Sequence, residues 1–127
     1  MADIRPPHAA PEEVTGKLHD LLANLWSRSQ QTISERLDVL RAAHRSLRKD
    51  PADKAAHRAG ADAAHKLAGI LGTFGLPEGT NLARRVEVMM ESGAPIRPFD
   101  LDTLQRTIDQ LQQMIEAKSK DAGKRRA

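Results

Sequence analysis

Apolar residues recur at steps of three and four along most of the chain. From Pro11 the series is Val14, Leu18, Leu21, Leu22, Leu25 and Trp26, followed by Ile33, Leu37, Leu40 and Leu47. Such steps stack side chains on one side of an α-helix. Gly16 and the polar run Ser27-Arg28-Ser29-Gln30 are points where the element can bend or divide, so the spacing predicts a long, bent first helix over residues 11–48.

Turn chemistry punctuates the rest. Asp50 is the expected N-cap of a second helix, with Pro51 at its first position and Asp53 complementing the dipole. Its apolar stripe reads Ala52, Ala56, Ala59, Ala63, Leu67, Ile70 and Phe74, and Gly75 is placed to end it. Pro77 opens a shorter third helix with Leu82, Val86 and Met89 inward, closing near Gly93. Ala94-Pro95-Ile96-Arg97-Pro98 is a rigid connector. Asp100 is then the expected cap of a fourth helix carrying Leu101, Leu104, Ile108, Leu111 and Ile115. Residues 1–10, with Pro6-Pro7, read as a flexible arm, and residues 118–127 as a charged flexible tail. No stretch alternates long enough to be a strand. The expectation is an all-α, antiparallel up-down four-helix bundle over residues 11–117.

Composition narrows the function classes. The 127 residues include no Cys, which excludes a disulfide framework, a thiol nucleophile and a Cys-based metal site. Twenty Lys plus Arg face 17 Asp plus Glu with the signs interleaved, a solvated surface rather than a nucleic-acid footprint. The basic excess is small and concentrated in Lys124-Arg125-Arg126, so nucleic acid is not the expected partner. No apolar run approaches the roughly 20 residues that span a bilayer. The N-terminus has no apolar signal-peptide core. A cytoplasmic monomer without a membrane partner is expected.

The back of the second helix is unusual. With Leu67 at zero and about 100° per residue, His65 falls roughly 170° from the apolar stripe. Ala61, Ala68, Gly69 and Gly72 are expected around it on the outer face, with Arg58 and Asp62 farther back. An exposed face normally carries long polar side chains, and each helical Gly costs about 0.5–1 kcal/mol relative to Ala. Close approach of another backbone would explain the bare surface. A neutral imidazole there is a nucleophile available near neutral pH. No second His or carboxylate stands four residues from His65 to complete a metal pair. Asp62 either hydrogen-bonds the ring or, more ordinarily, only solubilises the helix. His8, His19, His44 and His57 read as isolated surface histidines.

The segment Ala64-His65-Lys66-Leu67-Ala68-Gly69-Ile70-Leu71-Gly72-Thr73-Phe74-Gly75-Leu76 resembles the signature of histidine-containing phosphotransfer (HPt) domains. His65, Leu67, Gly69, Phe74 and Gly75 match that pattern, and Leu82, Val86 and Glu87 fit the helix that follows. Many members carry Lys where this chain has Ala68; Lys66, Arg84 or Arg85 are the basic residues left to assist a phosphoryl group. Ile70 and Leu71 stand where the family has small residues, and Gly79 where it is often apolar. The resemblance implies that His65 takes a phosphoryl group from the aspartate of a response-regulator receiver domain, or from a histidine kinase, and passes it to another receiver. It implies no intrinsic cofactor, with Mg²⁺ carried by the receiver. The chain has no Gly-rich phosphate cradle, so an ATP-dependent kinase is not expected. The alternative is a non-phosphorylated helical adaptor that binds a signalling partner through the His65 face.

Overall fold

The computed structural model describes residues 11–126, with side chains from Glu13 to Asp121; the expected arm over residues 1–10 lies outside the described residues. Four helices make up the fold: α1 (Pro11–Lys49), α2 (Lys54–Thr73), α3 (Pro77–Glu91) and α4 (Pro98–Arg126). Each packs on two others, in the cyclic order α1, α2, α3, α4. The expected all-α bundle is the fold.

Paired contacts give the directions. Trp26 of α1 meets Ser119 of α4 while His44 meets Leu101, so these two helices run antiparallel. Along α2 and α3, Gly60 lies against Met90 and Gly72 near Thr80, again antiparallel. The core is aliphatic, built on Ile33, Leu40, Leu47, Leu67, Leu71, Val86, Leu104, Ile108 and Leu111. Trp26 closes one end, edge-on to Phe74 with ring centroids 5.0 Å apart.

The turns follow backbone chemistry. After α2, Gly75 adopts φ 68°, with Gly75 N–H donating to Gly72 O and Leu76 N–H to Leu71 O. This is a Schellman ending, in which the left-handed position favours glycine. Gly93, at φ 67°, follows α3 in the same region. Pro77 opens α3 as expected.

Several boundaries differ from the sequence reading. The N-cap of α2 is Asp53, whose carboxylate accepts from Ala56 N–H, whereas Asp50 accepts from Ala52 N–H in the preceding turn. Both aspartates suit a cap, and the tie of Ile96 N–H to Pro51 O selects the later one by holding Pro51 in the connector. Likewise α4 begins at Pro98, so Asp100 lies inside its first turn and pairs with Arg97 instead of capping. The fourth helix also continues to Arg126 instead of fraying from residue 118. Trp26 Nε1–H donates to Ser119 Oγ, which donates onward to Gln30 Oε1, anchoring that extension to α1.

Burial corrects the reading further. The first helix runs unbroken through Ser27–Gln30, but Val14, Leu18, Leu21 and Leu25 are exposed and not in the core. His44 and His57 are buried, not surface histidines. His44 Nε2 lies 3.1 Å from Leu101 O. The two ring nitrogens of His57 lie 3.2 Å from Met90 O and 3.0 Å from Pro51 O, so the ring sits between the last turn of α3 and the α1–α2 connector, with its N–H in reach of either carbonyl.

Candidate functional site

The site is set by how closely α2 approaches α3. The buried face of α2 is Ala56, His57, Gly60, Ala63, Ala64, Leu67, Ala68 and Leu71. This arc is rotated about 60° from the stripe read in the sequence. The reason is that α3 packs closely against α2, with Gly60 on Met90 and Leu71 on Gly79, and so covers positions to one side of that stripe. A Cβ at Gly60 would stand 3.1 Å from Met90 Sδ and one at Gly79 3.0 Å from Leu71 Cδ1, so both glycines permit close contacts.

The rotation moves two residues off the outer face. Ala68, expected beside His65 in solvent, is 2% exposed and belongs to the core. Ala61 is half-buried and packs against the core. The bare surface is therefore smaller than expected. Gly69 and Gly72 remain on it, both exposed, with open space where a Gly69 Cβ would go. The absence of a lysine at position 68 also acquires a physical reading, since a lysine there would have to escape from packed surroundings.

His65 itself projects into solvent with its side chain 68% exposed. Its Nδ1 lies 2.8 Å from Oε2 of Glu87 on α3, a carboxylate whose side chain is 13% exposed. An Nδ1–H donating to that carboxylate leaves the Nε2 lone pair free and directed away from the helix pair. Glu87 is the residue whose role the sequence did not reveal, because nothing within one helix relates positions 22 apart. The hairpin register holds the signal: counted outward from the Gly75 turn, His65 and Glu87 fall opposite one another. Asp62 does not take this part; it pairs with Lys66 at 3.1 Å, one turn along α2.

The basic candidates separate. Lys66 is engaged by Asp62 and points about 100° round the helix from His65. Arg84 is exposed on the side of α3 that carries Glu87, one turn earlier. Arg85 lies about 160° round α3 from Glu87 and lines the cleft between α3 and α4 with Glu78, Gln110 and Met114. It is therefore not part of the His65 surroundings. Among the described residues no group of three His, Cys, Asp or Glu could hold a metal ion, and no helix is long and apolar enough to cross a membrane.

A family model described as the Hpt domain matches residues 24–117. The chain belongs to the Hpt domain family. Membership assigns this Hpt domain to phosphotransfer in two-component signalling. It is also similar to Protein RcaC of Microchaete diplosiphon, at 26% identity over 112 residues, covering 88% of this chain and 17% of that protein. The chain thus spans about a sixth of that relative's length. No solved structure matches it.

Proposed function

We propose that this Hpt domain is a phosphorelay intermediate. Nε2 of His65 accepts a phosphoryl group from the aspartyl phosphate of a receiver domain, or from a histidine kinase, and yields it to another receiver. The observation that carries the reading is the 2.8 Å contact between His65 Nδ1 and Glu87, which selects the tautomer with its nucleophilic lone pair facing solvent. In the forward step the Nε2 lone pair forms a P–N bond while the P–O bond to the receiver aspartate breaks, returning that electron pair to the carboxylate. The ring becomes cationic on phosphorylation, and the Glu87 carboxylate at its other nitrogen offsets that charge. The reverse step runs through the same atoms.

Phosphoryl transfer depends mainly on in-line placement and charge neutralisation. Mg²⁺ belongs to the receiver in this reading, and the chain contributes an exposed nucleophile with room around it. Gly69 and Gly72 supply that room, and Arg84, exposed one turn before Glu87 on α3, is the basic residue assigned to approach the phosphoryl oxygens.

The test offers a phosphorylated receiver to the wild-type chain and to His65→Gln. Acid-labile phosphate should appear on the wild type and be absent from the variant. Label retained on His65→Gln would overturn the assignment, and stable binding without transfer to the wild type would favour the adaptor reading instead.

A further inference from the structure

The exposed apolar residues of α1 form a second, separate face. Val14, Leu18, Leu21 and Leu25 are 38–54% exposed, and they follow one another at steps of four, three and four. On the helix they fall within an arc of about 60°, centred roughly 100° from Trp26 and Ile33, which face the bundle. The phosphotransfer role does not absorb them: three of the four precede residue 24, where the match to the Hpt domain begins.

Length makes the face accessible. With 39 residues α1 is about 58 Å long, against about 30 Å for the 20 residues of α2. Its first turns extend past the turn after α2, and residues 13–21 are all exposed. A second helix can lie along this stretch without meeting α2 or α3.

We infer that this stretch of α1 is a self-association surface, pairing with the same segment of a second copy of the chain as a short two-stranded coiled coil. The spacing is that of alternating core positions in a heptad repeat, with Val14 and Leu21 in one class and Leu18 and Leu25 in the other. A two-fold axis brings such a stripe against itself without requiring a different surface on the partner. The flanking positions favour self-pairing too. In coiled coils these carry the charges that choose partners, and here they are Thr15, Lys17, Leu22 and Asn24. A single positive charge among four provides no complement for a highly charged partner helix and sets no row of like charges against a second copy. The contact covers only two heptads, well below a standard interface, so association is weak and concentration-dependent.

Sedimentation equilibrium of the whole chain from about 5 to 500 μM tests this. The apparent mass should rise from 14.0 kDa towards twice that value with concentration. The double variant Leu18→Glu, Leu21→Glu should weaken association at least tenfold with the bundle's melting midpoint unchanged, because both side chains lie outside the core. Val88→Glu, which removes a still more exposed apolar residue on α3, should leave association as in the wild type. A monomer across the whole range overturns the inference. So does association that survives the double variant or is lost in Val88→Glu.

Discussion

Three residues define the candidate centre. His65 supplies the ring, Glu87 fixes it, and Gly69 keeps the neighbouring surface clear. Glu87→Ala removes the acceptor at Nδ1 and frees the ring to exchange tautomers. Phosphoryl transfer should slow by about tenfold or more, in the range of other hydrogen-bonded supports of reactive groups. Stability should change by no more than about 1 kcal/mol, since the lost contact is with an exposed partner. Nitrogen NMR of the imidazole separates this from a structural effect: the Nδ1-protonated form should lose its dominance. Gly69 makes a second case. Gly69→Ala should stabilise the helix by roughly 0.5–1 kcal/mol in urea unfolding, because the added methyl meets nothing. Gly69→Leu should slow transfer from a receiver while sparing phosphorylation by a small phosphodonor, which can avoid the obstruction. Equal slowing of both rates would show that this surface is not where the receiver docks.

The α2–α3 pair decides whether those groups meet. Leu67 is fully buried on the opposite side of α2 from the site, so Leu67→Ala should cost about 2–5 kcal/mol. An unchanged unfolding midpoint would show that the face is not packed as described. Gly60 governs helix separation more directly. Its missing Cβ leaves the space taken by Met90, with Sδ and Cε both 3.1 Å from where a Cβ would stand. Gly60→Val should destabilise the fold by about 1–3 kcal/mol through overpacking. It should also slow transfer at His65, as α3 carries Glu87 outward, and calorimetry with a transfer assay would test both effects.

Across the whole molecule, the two ends of the bundle are secured differently. At the Trp26 end the lock is aromatic, with Phe74 against the indole and Ser119 on its N–H. At the other end it is polar: His57 reaches Pro51 O and Met90 O, and Ile96 N–H donates to Pro51 O. The Ile96–Pro51 bond joins the α1–α2 and α3–α4 connectors, and His57 sits between the first of these and the end of α3. His57→Ala should lower stability by about 1–3 kcal/mol in urea unfolding by leaving buried polar groups with fewer partners. His65 chemistry should persist in the folded fraction, since His57 lies on the buried face and His65 on the exposed one.

The four helices, their punctuation by Gly75, Pro77 and Gly93, and the exposure of His65 are legible in the chain without any tertiary contact. Those features depend on local backbone preference and on periodicity within one helix, both of which are written in consecutive residues. The width of the α2 core face is not local in this way: Gly60, Ala64 and Ala68 lie beside the apolar stripe and are buried only because α3 comes close to them. Periodicity also merges the two faces of α1: Val14 and Trp26 belong to one periodic series in the sequence, but only Trp26 has α4 and Phe74 beside it. The partner of His65 was decided by tertiary structure alone. A contact between His65 and Glu87 exists only once two helices have taken a register, and that register depends on how near Gly60 and Gly79 let their neighbours come.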